Sequence, residues 1–138
     1  MDSGDIRKFI PQRDPILMVD RLTDVKDDVA TTCLTVRIDN YFMDEDDHLA
    51  EPGLLEHIAQ SASAFAGYRA IAAGAAIPPT RYIGEVRKFH CYRRPRVGDE
   101  LHTTIIMGTE IAGVTIITGE IRIAGEIVAD TQMKIFIK

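Results

Sequence analysis

The sequence has no tryptophan, only two cysteines, and no apolar run near the ~18–20 residues that a membrane span requires. Cys33 and Cys91 do not make a disulfide framework. Neither belongs to a CxxC pair or stands beside a Cys/His cluster, which argues against structural zinc and for a reducing cytoplasm. The opening residues, MDSGDIRKF, lack the charged-then-apolar order of a signal peptide, so the expected location is cytoplasmic. Positive charge is in deficit too, with 16 Lys plus Arg against 21 Asp plus Glu and a net −5. With no aromatic-plus-basic stripe and no nucleic-acid motif, this argues against a DNA or RNA partner.

What is present suits one compact soluble domain over residues 1–138, 46% apolar and 27% charged. A chain of this length buries roughly 68–70% of its unfolded-state surface and needs no staple to hold a core. No repeat, low-complexity tract or linker divides it. Charge is unevenly placed: residues 39–51 carry Asp39, Asp44, Glu45, Asp46, Asp47 and Glu51, whereas 81–96 carry Arg81, Arg87, Lys88, Arg93, Arg94 and Arg96 against Glu85 alone. The acidic run reads as a solvated loop. The basic one is either an ordinary solvated strand face or a field for an anionic partner such as a phosphopantetheine arm, coenzyme A or an acidic carrier protein.

The order of elements is informative. After a stretch punctuated by Pro11 and Pro15, the β-branched, alternating segments Ile16–Val25 and Val29–Ile38 predict a strand and its hairpin partner around Lys26-Asp27-Asp28. A polar loop over Asn40–Pro52 leads to Gly53, which opens a helix from Leu54 to about Ala73. Leu55, Ile58, Ala59, Ala62, Phe65 and Ala66 recur at spacings of three and four, the stripe of a buried face. The small residues Ser61, Ala62, Ser63, Ala64, Ala66 and Gly67 let a sheet close around this helix, and Gly74 with Pro78-Pro79 ends it.

From Thr80 onward the chain reads as strands punctuated at Val97-Gly98-Asp99, Ala112-Gly113 and Ala124-Gly125. Leu101, Thr103, Ile105, Met107, Thr109 and Ile111 share one phase, and Ile127, Ala129, Thr131, Met133, Ile135 and Ile137 another. Two strands, one long helix and about four antiparallel strands predict an α+β fold, in which a curled antiparallel sheet buries its face on the single helix.

Three blocks in this order carry a family resemblance. Pro11-Gln12-Arg13-Asp14-Pro15-Ile16-Leu17-Met18-Val19-Asp20-Arg21 resembles the Pro-His-Arg-x-Pro-hydrophobic-Val-Asp-Arg signature of the 3-hydroxyacyl-acyl-carrier-protein dehydratases. Glu51-Pro52-Gly53 with Glu56-His57-Ile58-Ala59-Gln60 resembles their Pro-Gly…Glu-x-x-Ala-Gln helix start. Tyr82-Ile83-Gly84 with Arg93-Arg94-Pro95-Arg96-Val97-Gly98-Asp99-Glu100-Leu101 is similar to their strand glycine and Arg-Pro…Gly-Asp-x-Leu corner. The resemblance covers nearly the whole chain and implies a hotdog fold. It also implies a homodimer or larger assembly with a continuous sheet, active sites at the subunit interface, and a thioester-linked acyl chain threaded along the helix. Two departures stand out: the family's His position is Gln12, and the segment between Pro52-Gly53 and Ala59-Gln60 is shorter than in the typical fatty-acid enzymes. That spacing resembles the dehydratase-like members of aryl polyene pigment clusters.

Dehydrating a 3-hydroxyacyl thioester requires a base for the α-proton, an acid for the departing hydroxyl and polarisation of the thioester carbonyl. In the family an imidazole and the helix Glu, from different subunits, divide the proton work. Gln12 neither takes nor delivers a proton near pH 7. The resemblance therefore casts Glu56 as the proton-transfer group, with His48, in the loop before the helix, as a stand-in acid or base. The same Glu56 also reads as a helix-start carboxylate that complements the dipole. Gln60, at i+4, shares a helix wall with Glu56 and supports it by hydrogen bonding or packing alone. Gly84 matches the glycine whose N–H faces the thioester carbonyl, or marks a bulge; Gly53 is a substrate-side glycine or an N-cap. His57, about 100° around the helix from Glu56, is expected to face a loop or an interface, and His90 and His102 to be structural strand residues.

Three functions follow: a dehydratase or enoyl hydratase acting on thioesters of acyl carrier protein or coenzyme A; a thioesterase in which Glu56 activates water; and a non-catalytic acyl-binding subunit, or one that pairs with a complete dehydratase. The tunnel end is expected around Phe65 and Tyr68. No residue pattern asks for a metal or an organic cofactor.

Overall fold

The computed structural model describes residues 4–76 and 81–137. A 3-10 turn, Ile6–Lys8, precedes β1 (Arg21–Lys26) and β2 (Val29–Thr35); α1 (Glu51–Ala72) follows, then β3 (Arg81–Cys91), β4 (Glu100–Ile111), β5 (Val114–Ile123) and β6 (Glu126–Ile137). The strands form one sheet in the order β1-β2-β4-β5-β6-β3. Every neighbouring pair is antiparallel. This is the hotdog fold: one helix with a six-stranded antiparallel sheet packed around it.

The hairpins form where the turn chemistry predicts. Ala112-Gly113 and Ala124-Gly125 have positive φ at both residues, 54° and 80° in the first and 49° and 84° in the second. A two-residue turn needs this to match the right-handed twist of its strands. The expected β4 phase holds through Leu101, Thr103 and Ile105, all buried, and Met107, half-buried against the core, and then fails. The register shifts between Met107 and Glu110, leaving Thr109 and Ile111 exposed, because a bulge moves every later side chain to the other face. On β6, Ala129, Thr131, Met133 and Ile135 face the core as expected; the side chain of Ile137 lies outside the described residues.

The expected strand from Ile16 begins instead at Arg21. Residues 16–20 do not alternate, Met18 and Val19 both being buried, and the main chain at 16 and 18 is bonded to side chains of α1: Ile16 O and Met18 O accept from Gln60 and His57, and Met18 N–H donates to Gln60. β2 likewise stops at Thr35, where Val36 turns to the 98–99 corner through Val36 N–H to Asp99 O and Gly98 N–H to Val36 O, both 2.8 Å.

The helix starts at Glu51, three residues before the expected Leu54, because Pro52 suits the first turn, whose N–H groups have no helical partner. At its end, Gly74 adopts φ 103° and donates to Ile71 O at 3.0 Å; Pro78-Pro79 lie outside the described residues. Burial runs nearly all round α1 from Gly53 to Gly67 rather than along one stripe, and includes Leu54, His57, Gln60 and Ser61, whereas Leu55 is half-buried. Small contacts make the wrap possible. A Cβ on Gly119 of β5 would lie 2.5 Å from Ile58 Cγ2, and one on Gly67 would run into the Phe9 carbonyl oxygen. Strand β3 is a sheet edge with Ile83 and Val86 exposed, and Cys33 and Cys91 are free thiols.

Candidate active site

Residues 56, 59, 60 and 63 recur at three- and four-residue spacing and so share one wall of α1. Glu56, Ala59, Gln60 and Ser63 meet Gln12 from the N-terminal segment, Ile83 of β3 and Ile135 of β6 around a cavity of about 190 Å³. Glu56 is half-buried there. Gln60 is buried, and both ends of its amide are fixed: Oε1 accepts from Met18 N–H at 2.6 Å, while Nε2 donates to Ile16 O and to Glu56 Oε1, each at 2.8 Å. Because Met18 N–H can only donate and Ile16 O can only accept, the amide has one orientation, and Glu56 necessarily meets an N–H. One carboxylate oxygen is thereby held.

Gln12 borders the same cavity, and its buried Oε1 has no hydrogen-bond partner. One chain therefore already places Gln12 and Glu56 on a common cavity, although the resemblance draws the corresponding pair from two subunits. His48 is elsewhere. It lines a separate recess of about 360 Å³ with Arg93, Arg94, Arg96 and Asp99, and its Nδ1 lies 2.8 Å from Asp46 O. The two charged segments partly neutralise each other beside it, Arg94 bonding Asp44 at 2.5 Å and Asp46 at 2.6 Å.

Gly84 falls at a bulge: the ladder passes from Ile83↔Ile135 to Glu85↔Lys134, leaving Gly84 without an opposite residue, and a Cβ on it would lie 3.0 Å from the Phe136 ring. Gly53 lies inside the first helical turn, not at the cap, which is Ala50; a Cβ there would lie 2.6 Å from Phe42 Cβ. Phe65 and Tyr68 do not line the cavities along the helix: Phe65 is fully buried, and Tyr68 packs edge-on against Phe9 with ring centroids 5.7 Å apart. A second cavity of about 350 Å³, next along α1, is lined instead by Ala66, Arg69, Ala70, Met107 and Gly108, with Ile135 shared between the two. His90 and His102 pair with Asp130 and Glu100 at 3.0 and 3.2 Å. Among the described residues no three His, Cys, Asp or Glu side chains gather as a metal set.

His57 does not face a loop. It is fully buried, its Nδ1 2.6 Å from Met18 O and its Nε2 2.7 Å from Thr103 Oγ1. Burial lowers its pKa from 6.5 to about 4, against the opposing pulls of the Met18 carbonyl and the Asp20 charge. The ring is thus neutral at pH 7. Nδ1 carries the proton because Met18 O only accepts, and Nε2 accepts from the Thr103 hydroxyl. The unfolded chain protonates this ring more readily than the folded one. Its contribution is therefore complete above about pH 6.5 and falls with pH toward 4, by about 1.4 kcal/mol per pH unit and about 3 kcal/mol in all. Urea unfolding at pH 7 and pH 4.5 should show this loss, and His57→Asn should remove most of it; an unchanged loss in the variant would place its origin elsewhere.

Ser63 and Ala59 were available from helical spacing, but Ile83 and Ile135 reach the cavity only through the sheet. The one sign of His57's position was Thr103, a polar residue at an inward strand phase.

Comparison with known proteins agrees with this fold. The family model described as "ApeP-like: ApeP dehydratase" matches residues 4–138. A 3-hydroxyacyl-(acyl-carrier-protein) dehydratase FabZ of Shewanella loihica is 28% identical over 138 residues, covering 96% of this chain and 90% of its own. Among solved structures, the dehydratase heterocomplex ApeI:P from Xenorhabdus doucetiae is similar with a TM-score of 0.90 and 17% identity, over 97% of this chain and 91% of that one. An HP0420 homologue from Helicobacter felis is similar with a TM-score of 0.70 and 15% identity, over 100% and 93%.

Proposed function

The chain belongs to the ApeP-like dehydratase family, and from that premise we propose that it provides the carboxylate half of a 3-hydroxyacyl thioester dehydratase site, with the imidazole coming from a second hotdog subunit. One observation carries the reading: Gln60 delivers an N–H to Glu56 in a cavity that is also lined by Gln12, the residue at the position of the His in the dehydratase signature it resembles. A carboxylate with one oxygen held and the other free suits proton transfer at a fixed place. Gln12 contributes hydrogen bonding only. Gly84, on the strand that brings Ile83 to the cavity, is the donor for the thioester carbonyl, where negative charge develops as the α-proton leaves. The acyl group is carried by acyl carrier protein or coenzyme A, and its chain runs from the Glu56 cavity along α1 past Ile135. The similar solved structure, a heterocomplex of dehydratase subunits, supports pairing with a complementary chain.

The test follows a short 2-enoyl pantetheine thioester by enoyl absorbance and free thiol together. Alone, the chain should hydrate it about 10²–10⁴-fold more slowly than when mixed with a dehydratase subunit that bears the imidazole, the range one acid–base partner is worth. Full activity without the partner would overturn the reading. Thiol release without loss of the enoyl group would make the protein a thioesterase.

A further inference from the structure

Both polar main-chain groups of Met18 are bonded to side chains of one helix. Its N–H donates to Gln60 Oε1 and its carbonyl accepts from His57 Nδ1, each at 2.6 Å. His57 is anchored in turn by Thr103 of β4 at 2.7 Å, and Gln60 reaches Glu56 at 2.8 Å. An unbroken line of hydrogen bonds therefore runs from a central strand, through His57, the main chain of Met18 and the Gln60 amide, to the carboxylate. Met18, His57, Gln60 and Thr103 are all buried, so water does not replace a lost link.

The direction of the last bond depends on the earlier ones. An amide has a donor end and an acceptor end of similar shape, and only Met18 N–H and Ile16 O decide which end faces Glu56. If residues 16–18 drift from the helix, the amide is free to turn its oxygen toward the carboxylate. Residues 16–18 precede the sheet, since β1 begins at Arg21, and the segment meets the sheet at Asp20, whose N–H donates to Cys33 O of β2 at 2.9 Å. Beyond Gln60, the bond from His57 is what fixes the Met18 main chain to the helix, while the Met18 and Val19 side chains pack in the core. We infer that His57 is a positioning residue for Glu56: it acts through Met18 and Gln60, although it is adjacent to Glu56 in sequence and about 100° away around the helix. This rests on the reading that Glu56 transfers the proton.

Three substitutions separate positioning from packing. In His57→Asn the amide nitrogen takes the place of Nδ1 and still donates to Met18 O. In His57→Gln it reaches toward Thr103 instead, and His57→Leu makes neither bond. The readouts are kcat and KM of enoyl hydration with the imidazole-bearing subunit present, urea stability, and the 15N-resolved side-chain amide protons of Gln60. His57→Asn should keep most of kcat. His57→Gln and His57→Leu should lose about 10–100-fold in kcat with little change in KM, as expected for a misplaced reacting group. The Gln60 amide protons should exchange slowly in the parent and in His57→Asn and rapidly in the other two.

Loss of kcat in step with stability across all three variants, or a protected Gln60 amide in His57→Gln, would overturn the inference. If His57→Leu does not fold, the Asn and Gln pair carries the comparison. If the parent shows no turnover with any imidazole source, the proposed function fails, whereas the Gln60 amide still reports whether His57 governs it.

Discussion

Gln12→His is expected to raise hydration of a 2-enoyl thioester by this chain alone by about 10²–10⁴-fold, the value of one general acid–base group placed within reach. The position is already built. Gln12 borders the Glu56 cavity, and its buried Oε1 has no partner there, so an imidazole of similar reach points into the same space. With an ordinary pKa of about 6.5, the ring both gives and takes a proton near neutrality, which the amide does not. The gain should therefore depend on pH and decline as the ring becomes fully protonated. A variant as slow as the parent would mean that Glu56 is not poised for this chemistry, and the non-catalytic acyl-binding reading would take its place.

In that gained background, Glu56→Gln is expected to remove the activity by a similar factor of about 10²–10⁴. The substitution keeps the length of the side chain and its contact with Gln60, since an amide oxygen also accepts from Nε2, so fold and binding should survive while proton transfer fails. The kinetic signature is a fall in kcat with KM nearly unchanged. A chain carrying both substitutions supplies imidazole without carboxylate. Mixed with the parent it should regain turnover if each site draws its two groups from two chains, as in the dehydratases. No recovery would place both groups within one chain, on the cavity they share here.

The same residues show how far a sequence can be read. Glu56 and Gln60 were visible as a pair because i,i+4 spacing on a helix is local geometry. Gln12 stood out only against a motif. Residues 16–20 misled, because an apolar, β-prone run does not name its hydrogen-bond partner, which for residues 16 and 18 is a helix side chain rather than a strand. His48 stood close to the helix in sequence, yet the bridge between His48 and Arg96 carries it to the basic corner.

The sequence by itself determined the order of elements, the turn positions, the single central helix and the family, since each depends on periodicity, on residues that tolerate positive φ, or on short motifs. The tertiary structure alone decided that Ile83 and Ile135 line the cavity with Gln12 and Glu56, that Ile135 also lines a second one, and that His57 is locked in the core rather than turned to a loop. Those facts depend on which main-chain groups and side chains, distant in sequence, meet when the sheet closes. For His57 the deciding partner is the carbonyl of Met18, 39 residues earlier, a group that every residue carries and that no side-chain pattern distinguishes.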